Sequence, residues 1–230
     1  MNPEIRFDGL KELLRSGARV VLMVRHGERP KIDPDDPTFG DSLPLTPEGD
    51  RTALLFGKAL AEFAPVAGFA ASPLARTRIT AEKIAEGMGV PGAEIRLDGR
   101  LGNDSYYYKD IPEVLKIFNP PGNFFPASFE YMDAGIQRGF HPLGEATDAL
   151  ERRLDELHGT QLLVAASHDL FIAAFLAARG AYSERSLETW PRFLDAAAII
   201  DETAPDGSTR RSYAMLRSGL SDGIVGKKQD

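Results

Sequence analysis

The stretch VVLMVRHGERP, residues 20–30, places five apolar residues directly against a run that holds four charged or titratable side chains. Its apolar part shows no alternation with polar residues, which is typical of a strand buried on both faces. Similar runs recur as VAGFAAS at 66–72 and QLLVAAS at 161–167, and each leads into a segment with helical spacing of apolar residues. Strands that alternate with helices predict an α/β fold, a three-layer α/β/α arrangement with a mostly parallel central sheet.

Polar side chains follow each of these three runs. His26 follows the first, Ser72 leads to Arg76 after the second, and His168 and Asp169 follow the third. In open parallel sheets, ligands bind beyond the carboxyl ends of the strands, which meet at one edge. The sequence therefore predicts a single site that is built from distant parts of the chain.

The residue types at this edge suit the binding and transfer of a phosphoryl group. Arg25, Arg29 and Arg76 carry guanidinium groups, whose planar fork matches phosphate oxygens. His26 lies among them, and a neutral imidazole can attack phosphorus and form a phosphohistidine. His168 can donate to an oxygen of the transition state. Because arginines supply the positive charge, we expect neither a metal ion nor a cofactor.

Three carboxylates are candidates for the acid that protonates the departing oxygen. We favour Asp169, and the alternatives are Asp104, within RLGNDSYYY at 100–108, and Glu28. A helix N-terminus and nearby arginines lower the pKa of Asp169, whereas a bound phosphate dianion raises it again. We therefore expect an acidic rate optimum. A role for Glu28 in balancing a neighbouring arginine is an equally good interpretation.

Four segments occur together in the order and spacing of a known family: RHGERP, LTPEGDRTALLFGKAL, SPLARTRITAEKIA and SHD. Over roughly residues 18–90 and 145–200 the chain resembles the histidine phosphatase superfamily. The resemblance implies a phosphoglycerate mutase-like fold and a nucleophile at the position of His26. The family's phosphate pocket is matched here by Arg25, Arg29, Arg76 and His168.

Within that superfamily the motifs are closer to the acid phosphatase branch. There the aspartate of an HD pair donates the proton, and Asp169 matches it. In the other branch the donor is a carboxylate in the insertion, which Asp104 could supply. The chain departs from the acid phosphatase branch because Leu170 and Phe171 replace the Thr-Asn that usually follows HD, and because it contains no cysteine.

Residues 97–143, called the inserted segment below, interrupt the alternation of strands and helices. They contain many tyrosines and phenylalanines together with several Pro and Gly residues. We interpret them as an inserted lid within a single domain that spans residues 1–230. Packing in a lid or core is the favoured role of these aromatic rings, ahead of a platform that stacks sugars.

Composition limits the classes of partner. The net charge is −7 (27 basic against 34 acidic residues) with no block of Lys or Arg, which disfavours nucleic acid and anionic membranes. The start of the chain does not resemble a signal peptide, and no apolar run approaches the roughly 20 residues that span a bilayer. We expect a cytoplasmic protein. The sequence leaves the oligomeric state open.

The preferred function is a phosphomonoester hydrolase that acts through a phosphohistidine on a small phosphorylated metabolite. Two rivals share the chemistry: a phosphoglycerate mutase-like phosphotransferase, which usually has a serine where Arg29 stands, and a phosphoprotein phosphatase. A metallohydrolase using His26, His168, Asp169 and Glu28 is disfavoured because adjacent arginines repel a cation. A non-catalytic module that binds phosphorylated ligands is the remaining alternative.

Overall fold

The structure is a computed structural model that describes residues 2–32, 40–64 and 66–221. Its strands are β1 (Glu4–Ile5), β2 (Arg19–Arg25), β3 (Ala67–Ala71), β4 (Ile95–Leu97), β5 (Leu162–Ser167), β6 (Ala196–Thr203) and β7 (Thr209–Leu216). Its helices are α1 (Phe7–Arg15), α2 (Pro47–Ala61), α3 (Ala75–Gly87), α4 (Ile111–Phe118), α5 (Phe124–Ala134), α6 (Leu143–Leu157) and α7 (Asp169–Ala178). Within these described ranges, no helix is both long enough and apolar enough to cross a membrane.

The strands form one sheet in the order β1-β7-β6-β2-β5-β3-β4. Strands β2, β5, β3 and β4 run parallel to one another, and β7 runs parallel to β1. Strand β6 is antiparallel to both of its neighbours, β2 and β7. The mostly parallel sheet predicted from the sequence is therefore confirmed, and the carboxyl ends of β2, β5 and β3 meet at one edge.

Strand β2 is covered on both faces, as its unbroken apolar run predicts. Val21 and Met23 belong to the core that lies against α5, α6 and α7. Val20, Leu22 and Val24 belong to the opposite core, which lies against α1, α2 and α3. None of these five side chains is more than 1% exposed. The strand that carries the RHG motif is thus held rigidly at the centre of the molecule.

The inserted segment contributes directly to the core beside α6 and α7. The side chains of Tyr107 and Tyr131 are fully buried, and the ring of Tyr131 lies 4.4 Å from that of Phe140. Both buried phenols are satisfied, since Tyr107 is paired with the Thr147 hydroxyl at 3.1 Å and Tyr131 donates to the His141 carbonyl at 2.8 Å. Many of the aromatic residues in this segment are therefore packing residues.

Helices α2 and α3 approach so closely that two glycines form the contact. A Cβ atom on Gly57 would lie 2.1 Å from the carbonyl oxygen of Ile84, and one on Gly87 would lie 2.1 Å from that of Leu54. Both obstacles are backbone atoms, which cannot move aside without shifting a helix. The pair fixes the distance between α2 and α3, and hence the position of Arg76 at the start of α3.

We expect Gly57→Ala to destabilise the protein, because the new methyl group would push α2 away from α3. Overpacking of this kind costs roughly 1–3 kcal/mol, which urea unfolding measures directly. Gly144→Ala is the matched control, since that helical glycine has open space around its Cβ position and alanine favours helix. Equal stability of the two variants would contradict the tight contact.

Candidate active site

The pairing of β2 with β5 brings the two sequence-predicted histidines together. Arg25 pairs with Ser167 in the sheet register, and the backbone N–H of His26 donates to the Ser167 carbonyl at 3.0 Å. His26 and His168 therefore leave adjacent strands side by side. Their rings lie edge to face with centroids 5.4 Å apart. Residues separated by more than 140 positions thus form one centre.

The hydrogen bonding and the protonation state of the His26 ring suit attack on phosphorus. Its Nδ1 lies 2.8 Å from the Gly27 carbonyl, which can only accept, so Nδ1 carries the proton and Nε2 keeps its lone pair. Burial holds the pKa of His26 well below its usual value, and His168, Arg25 and Arg76 lower it further. The imidazole is therefore neutral at physiological pH, as attack on phosphorus requires.

His168 is held neutral beside it. Burial lowers its pKa to about 3, with Arg76 the next cause, although Asp169 acts in the opposite direction. Its Nε2 lies 3.3 Å from the hydroxyl of Ser72, which is fully buried and also paired with Thr77 at 2.6 Å. A neutral imidazole in this position can donate one hydrogen bond to an oxygen of a bound anion.

Arg25 is the most constrained of the arginines. It is 9% exposed, donates to the Pro191 carbonyl at 2.7 Å and forms an ion pair with Asp169 at 3.1 Å. The ring of Phe193 lies under its guanidinium group at 4.3 Å, close enough for a cation–π contact. These contacts fix the plane of the guanidinium group, so it presents a set of donors in one direction.

Arg76 and Arg29 complete the positive side of the site. Arg76 is 7% exposed and donates to the Gly40 carbonyl at 2.8 Å, while Arg29 donates to the Pro30 carbonyl at 2.8 Å. Burial lowers the pKa of Arg76 to about 10, and the proximity of Arg29 contributes to the same shift. Burial also lowers the pKa of Arg29. Each is still a cation at neutral pH.

Three guanidinium nitrogens in the site lack partners in the part of the chain that the structure describes. The Nε atoms of Arg25, Arg29 and Arg76 are buried, and none has a hydrogen-bond partner among the described residues. A buried donor without an acceptor is costly, and buried cations that repel one another add to that cost. An oxyanion placed between them would satisfy these donors and offset the repulsion.

Asp169 faces the same space from the start of α7. Its Oδ2 accepts from Arg25 at 3.1 Å and from the indole nitrogen of Trp190 at 3.0 Å, and its Oδ1 accepts from the backbone N–H of Leu170 at 2.9 Å. Burial alone raises its pKa, but Arg25, the indole and the backbone N–H, together with His168, outweigh burial. The net effect is a pKa below the ordinary value.

The other two candidate donors lie elsewhere. Glu28 accepts a hydrogen bond from the Thr46 hydroxyl at 2.7 Å, at the start of α2. Asp104 is exposed and lines a cavity of about 600 Å³ in the inserted segment, of which neither histidine forms a wall. Gly102, which lies in sequence between the lining residues Arg100 and Asn103, lies against the site, because a Cβ atom there would lie 2.7 Å from that of Ser72.

Two residues of the site were not predicted from the sequence. Phe193 lies with its ring centroid 5.7 Å from that of His26, and Trp190 contacts Asp169. Both belong to the loop before β6, where Leu194 adopts a left-handed conformation (φ 64°) that is strained for a leucine. No motif marks this loop. The one available signal is that Trp190 is the single tryptophan in the chain.

Across the described parts of the chain, no group of three or more His, Asp or Glu side chains is placed to hold a metal ion. The residues brought together here are two neutral imidazoles, three arginines and one carboxylate. Such a set has the chemistry to supply a nucleophile, an anion pocket and an acid or base.

Comparisons with known proteins agree with this arrangement. The sequence model described as histidine phosphatase superfamily (branch 1) matches residues 21–207. No curated protein matches significantly. A mycobacterial glucosyl-3-phosphoglycerate phosphatase in complex with inorganic phosphate is similar in structure, with a TM-score of 0.55, 19% identity, and coverage of 88% of this chain and 99% of that chain. A phosphoglycerate mutase from Bacillus anthracis has a TM-score of 0.57 and 12% identity, with 85% of this chain and 92% of that chain covered.

At these identities the structural likeness concerns the fold. It confirms the phosphoglycerate mutase-like fold that the motifs predicted. The predicted closeness to the acid phosphatase branch is not confirmed, since the matching sequence model is that of branch 1.

Proposed function

This chain belongs to the histidine phosphatase superfamily, and we propose that it hydrolyses phosphomonoesters of small metabolites through a phosphohistidine on His26. One observation supports the proposal most strongly. The buried Nε atoms of Arg25, Arg29 and Arg76 lack partners among the described residues, and these arginines lie close enough to two imidazoles, which burial keeps neutral, to lower their pKa values further. A phosphate group supplies the acceptors that these donors lack.

In the first half-reaction, Nε2 of His26 attacks phosphorus while the bond from phosphorus to the ester oxygen breaks. The three arginines and His168 hold the non-bridging oxygens and stabilise the charge that they carry in the transition state. The departing oxygen takes a proton from Asp169 and leaves as an alcohol. The products of this step are the phosphohistidine and an ionised Asp169.

In the second half-reaction, Asp169 acts as the base. A water molecule gives it a proton and attacks phosphorus, and the bond between phosphorus and Nε2 breaks. Inorganic phosphate leaves, so His26 is neutral and Asp169 is protonated again. One carboxylate thus serves both halves and is regenerated in each cycle.

The choice of Asp169 as donor rests on its position. Its carboxylate is bonded to Arg25, one of the three arginines of the pocket, and neighbours His168 in sequence. Asp104 lines the adjoining cavity, and Glu28 accepts a hydrogen bond from Thr46, the N-cap residue of α2. A bound phosphate dianion competes for Arg25 and raises the pKa of the carboxyl, so the group is protonated when it is needed.

The inference of a small substrate comes from the relatives and from the site. The similar solved structures include proteins named for phosphoglycerate derivatives, and the cavity beside the cleft is polar and about 600 Å³ in volume. Such a cavity is large enough for a metabolite-sized leaving group. We place hydrolysis ahead of phosphoryl transfer because Arg29 occupies the position where mutases usually carry a serine.

The first test is to trap the intermediate. We expect incubation with a ³²P-labelled phosphomonoester, followed by rapid denaturation, to leave about one phosphoryl group per chain, stable in alkali and labile in acid. Peptide mapping should place the label on His26. Orthovanadate should compete with labelling, because the anion pocket binds its trigonal form as it binds the transition state.

The same experiment separates hydrolysis from transfer. A second sugar phosphate added to the labelled protein should not acquire the label, and inorganic phosphate should be the labelled product. Transfer to the acceptor would instead identify a phosphotransferase. Binding of phosphate with neither labelling nor turnover would identify a non-catalytic binding module.

A further inference from the structure

We propose that Trp190 is a positioning residue for proton transfer, which orients the carboxyl group of Asp169 and sets the pH range over which it can act. Helix α5 of the inserted segment holds the indole in place. The inference rests on the proposed function, in which Asp169 is the proton donor. It adds a residue that acts on the reaction only through its hydrogen bond to Asp169.

The two carboxylate oxygens of Asp169 are in different environments. Oδ2 receives both side-chain donors, the Trp190 indole at 3.0 Å and Arg25 at 3.1 Å. Oδ1 receives only the backbone N–H of Leu170, at 2.9 Å, among the described residues. The two donors on Oδ2 occupy both of its lone pairs, whereas the single donor on Oδ1 leaves one lone pair free, so the transferable proton belongs on Oδ1.

Trp190 is well suited to hold the carboxyl group in place. Its side chain is 5% exposed, and three phenylalanines of α5 surround it edge-on, with ring centroids 5.9, 5.2 and 5.6 Å away for Phe124, Phe125 and Phe129. An indole packed in this way has little freedom to move its N–H. The aromatic residues of the inserted segment therefore control a bond in the active site.

The same short stretch of chain also holds the partner of Asp169. Pro191, the next residue, accepts a hydrogen bond from Arg25 at 2.7 Å through its carbonyl. Arg217 in turn donates to the carbonyls of Trp190 and Thr189 at 3.3 and 2.7 Å. Residues 190 and 191 thus fix both members of the ion pair, and α5 and Arg217 fix that stretch.

The ionisation of Asp169 responds to groups from every element around it. Arg25, Arg29 and Arg76 favour its charged form, and the uncharged donors Trp190 and the backbone N–H of Leu170 do the same. Removing the indole N–H removes one bond to the ionised state, so the pKa of Asp169 rises. The charged and titratable groups that face it are Arg25 on β2, Arg29 after β2, Arg76 on α3, His168 before α7 and Tyr108 in the inserted segment.

The variant Trp190→Phe removes the N–H and keeps an aromatic ring in the α5 pocket. We expect phosphorylation of His26 by β-glycerophosphate to slow by roughly 10-fold or more, because an alkoxide leaving group depends on a well-oriented acid. The rate with p-nitrophenyl phosphate should change much less, since p-nitrophenolate leaves without protonation. An equal loss on both substrates would indicate general disruption and overturn the inference.

The pH profile provides a readout that a purely structural role would not move. We measure the rate of His26 phosphorylation by saturating β-glycerophosphate, which depends on ionisation in the complex. Asp169 must be protonated, so the rate falls as the pH rises through its pKa. On that alkaline side, Trp190→Phe should retain a roughly three- to tenfold larger fraction of its own maximum than the wild type. An unshifted profile would contradict the inference.

A measurement on the unmodified protein covers the case in which the variant does not fold. Trp190 is the only tryptophan, so its emission reports this one indole. We expect inorganic phosphate to change the emission spectrum of the wild type, because the anion alters the charge of Asp169. Asp169→Asn should bind phosphate without that change. An unaltered wild-type emission spectrum at saturating phosphate would contradict the coupling between Trp190 and Asp169.

Failure of this inference and failure of the proposed function give different results. If Asp169→Asn slows turnover of β-glycerophosphate while Trp190→Phe leaves its rate and pH profile unaltered, Asp169 is the donor and Trp190 is not its positioning residue. If Asp169→Asn is fully active, the assignment of the donor itself is wrong. Phe129→Leu, which leaves the indole N–H in place, should show a smaller version of the Trp190→Phe effect.

Discussion

The variant His26→Ala should lose turnover by a factor on the order of 10⁶, as expected when a covalent nucleophile is removed. The backbone hydrogen bond on Nδ1 of buried His26 leaves the lone pair of Nε2 free, and Arg25 and Arg76 lie near this ring. Water cannot take its place with comparable efficiency. We expect steady-state phosphate release to fall to background and the ³²P label to disappear from the denatured protein.

Affinity should survive this change. The arginines remain, so vanadate and phosphate should still bind and raise the melting temperature of His26→Ala. His141→Ala is the matched control, because His141 is exposed and lies outside the site. Labelling of the His26→Ala protein at another residue would show that the nucleophile had been assigned incorrectly, and an inactive control would show that the assay reports folding.

The variant Asp169→Asn should lower kcat for β-glycerophosphate by roughly 10²–10⁴, the range expected for loss of a general acid. Asparagine keeps the size of the side chain and an oxygen that can accept from Trp190 and Arg25, so the pocket should keep its shape. What it removes is the proton. The rate of His26 phosphorylation by p-nitrophenyl phosphate should fall far less, since p-nitrophenolate leaves without a proton, and the pH profile of phosphorylation by β-glycerophosphate should become nearly flat.

The variant Asp104→Asn tests whether the proton donor is Asp104, as in the branch with a donor in the insertion, or Asp169, as in the acid phosphatase branch. Because Asp104 is exposed in the adjoining cavity, this change should leave kcat for β-glycerophosphate nearly unaltered. A large loss in Asp104→Asn with an active Asp169→Asn would move the donor to the inserted segment. A flat wild-type profile between pH 5 and 9 would also count against Asp169.

Most of the site could be predicted because the sequence pattern indicates where each buried strand ends. Each buried strand ends where an apolar run meets polar residues, and a parallel sheet gathers those ends at one edge. That reasoning brought His26, Arg76 and His168 together across the chain, and the structure places them side by side. Ser72 belongs to the same group through its contact with His168.

The contributions of Trp190 and Phe193 could not be predicted in this way. They act through contacts made by a loop whose path depends on the left-handed backbone of Leu194, and a leucine gives no sign of such a conformation. Strands β1 and β4 also could not be predicted, because no local pattern in the sequence marks them. They are two and three residues long, so their pairing with neighbours, rather than any periodicity, defines them.

The helices of the inserted segment were hidden for another reason. Helix α5 buries several side chains. Its first residues, FFPASF at 124–129, include two adjacent phenylalanines and a proline, which obscure the helical spacing of apolar residues. Its burial comes from packing against α4, α7 and Trp190. Tertiary contact, rather than local propensity, selects the helix here.

The crowding of Arg25, Arg29 and Arg76 has a consequence for the history of the protein. Positive charge concentrated among these three side chains opposes folding, so arginines at these positions favour binding of an anion over stability. Replacing Arg29 or Arg76 by a neutral side chain of similar size should therefore give a more stable protein that binds phosphate poorly. Any lineage descended from this chain that abandoned catalysis would therefore be expected to shed these arginines early, while the apolar strands beneath them persisted.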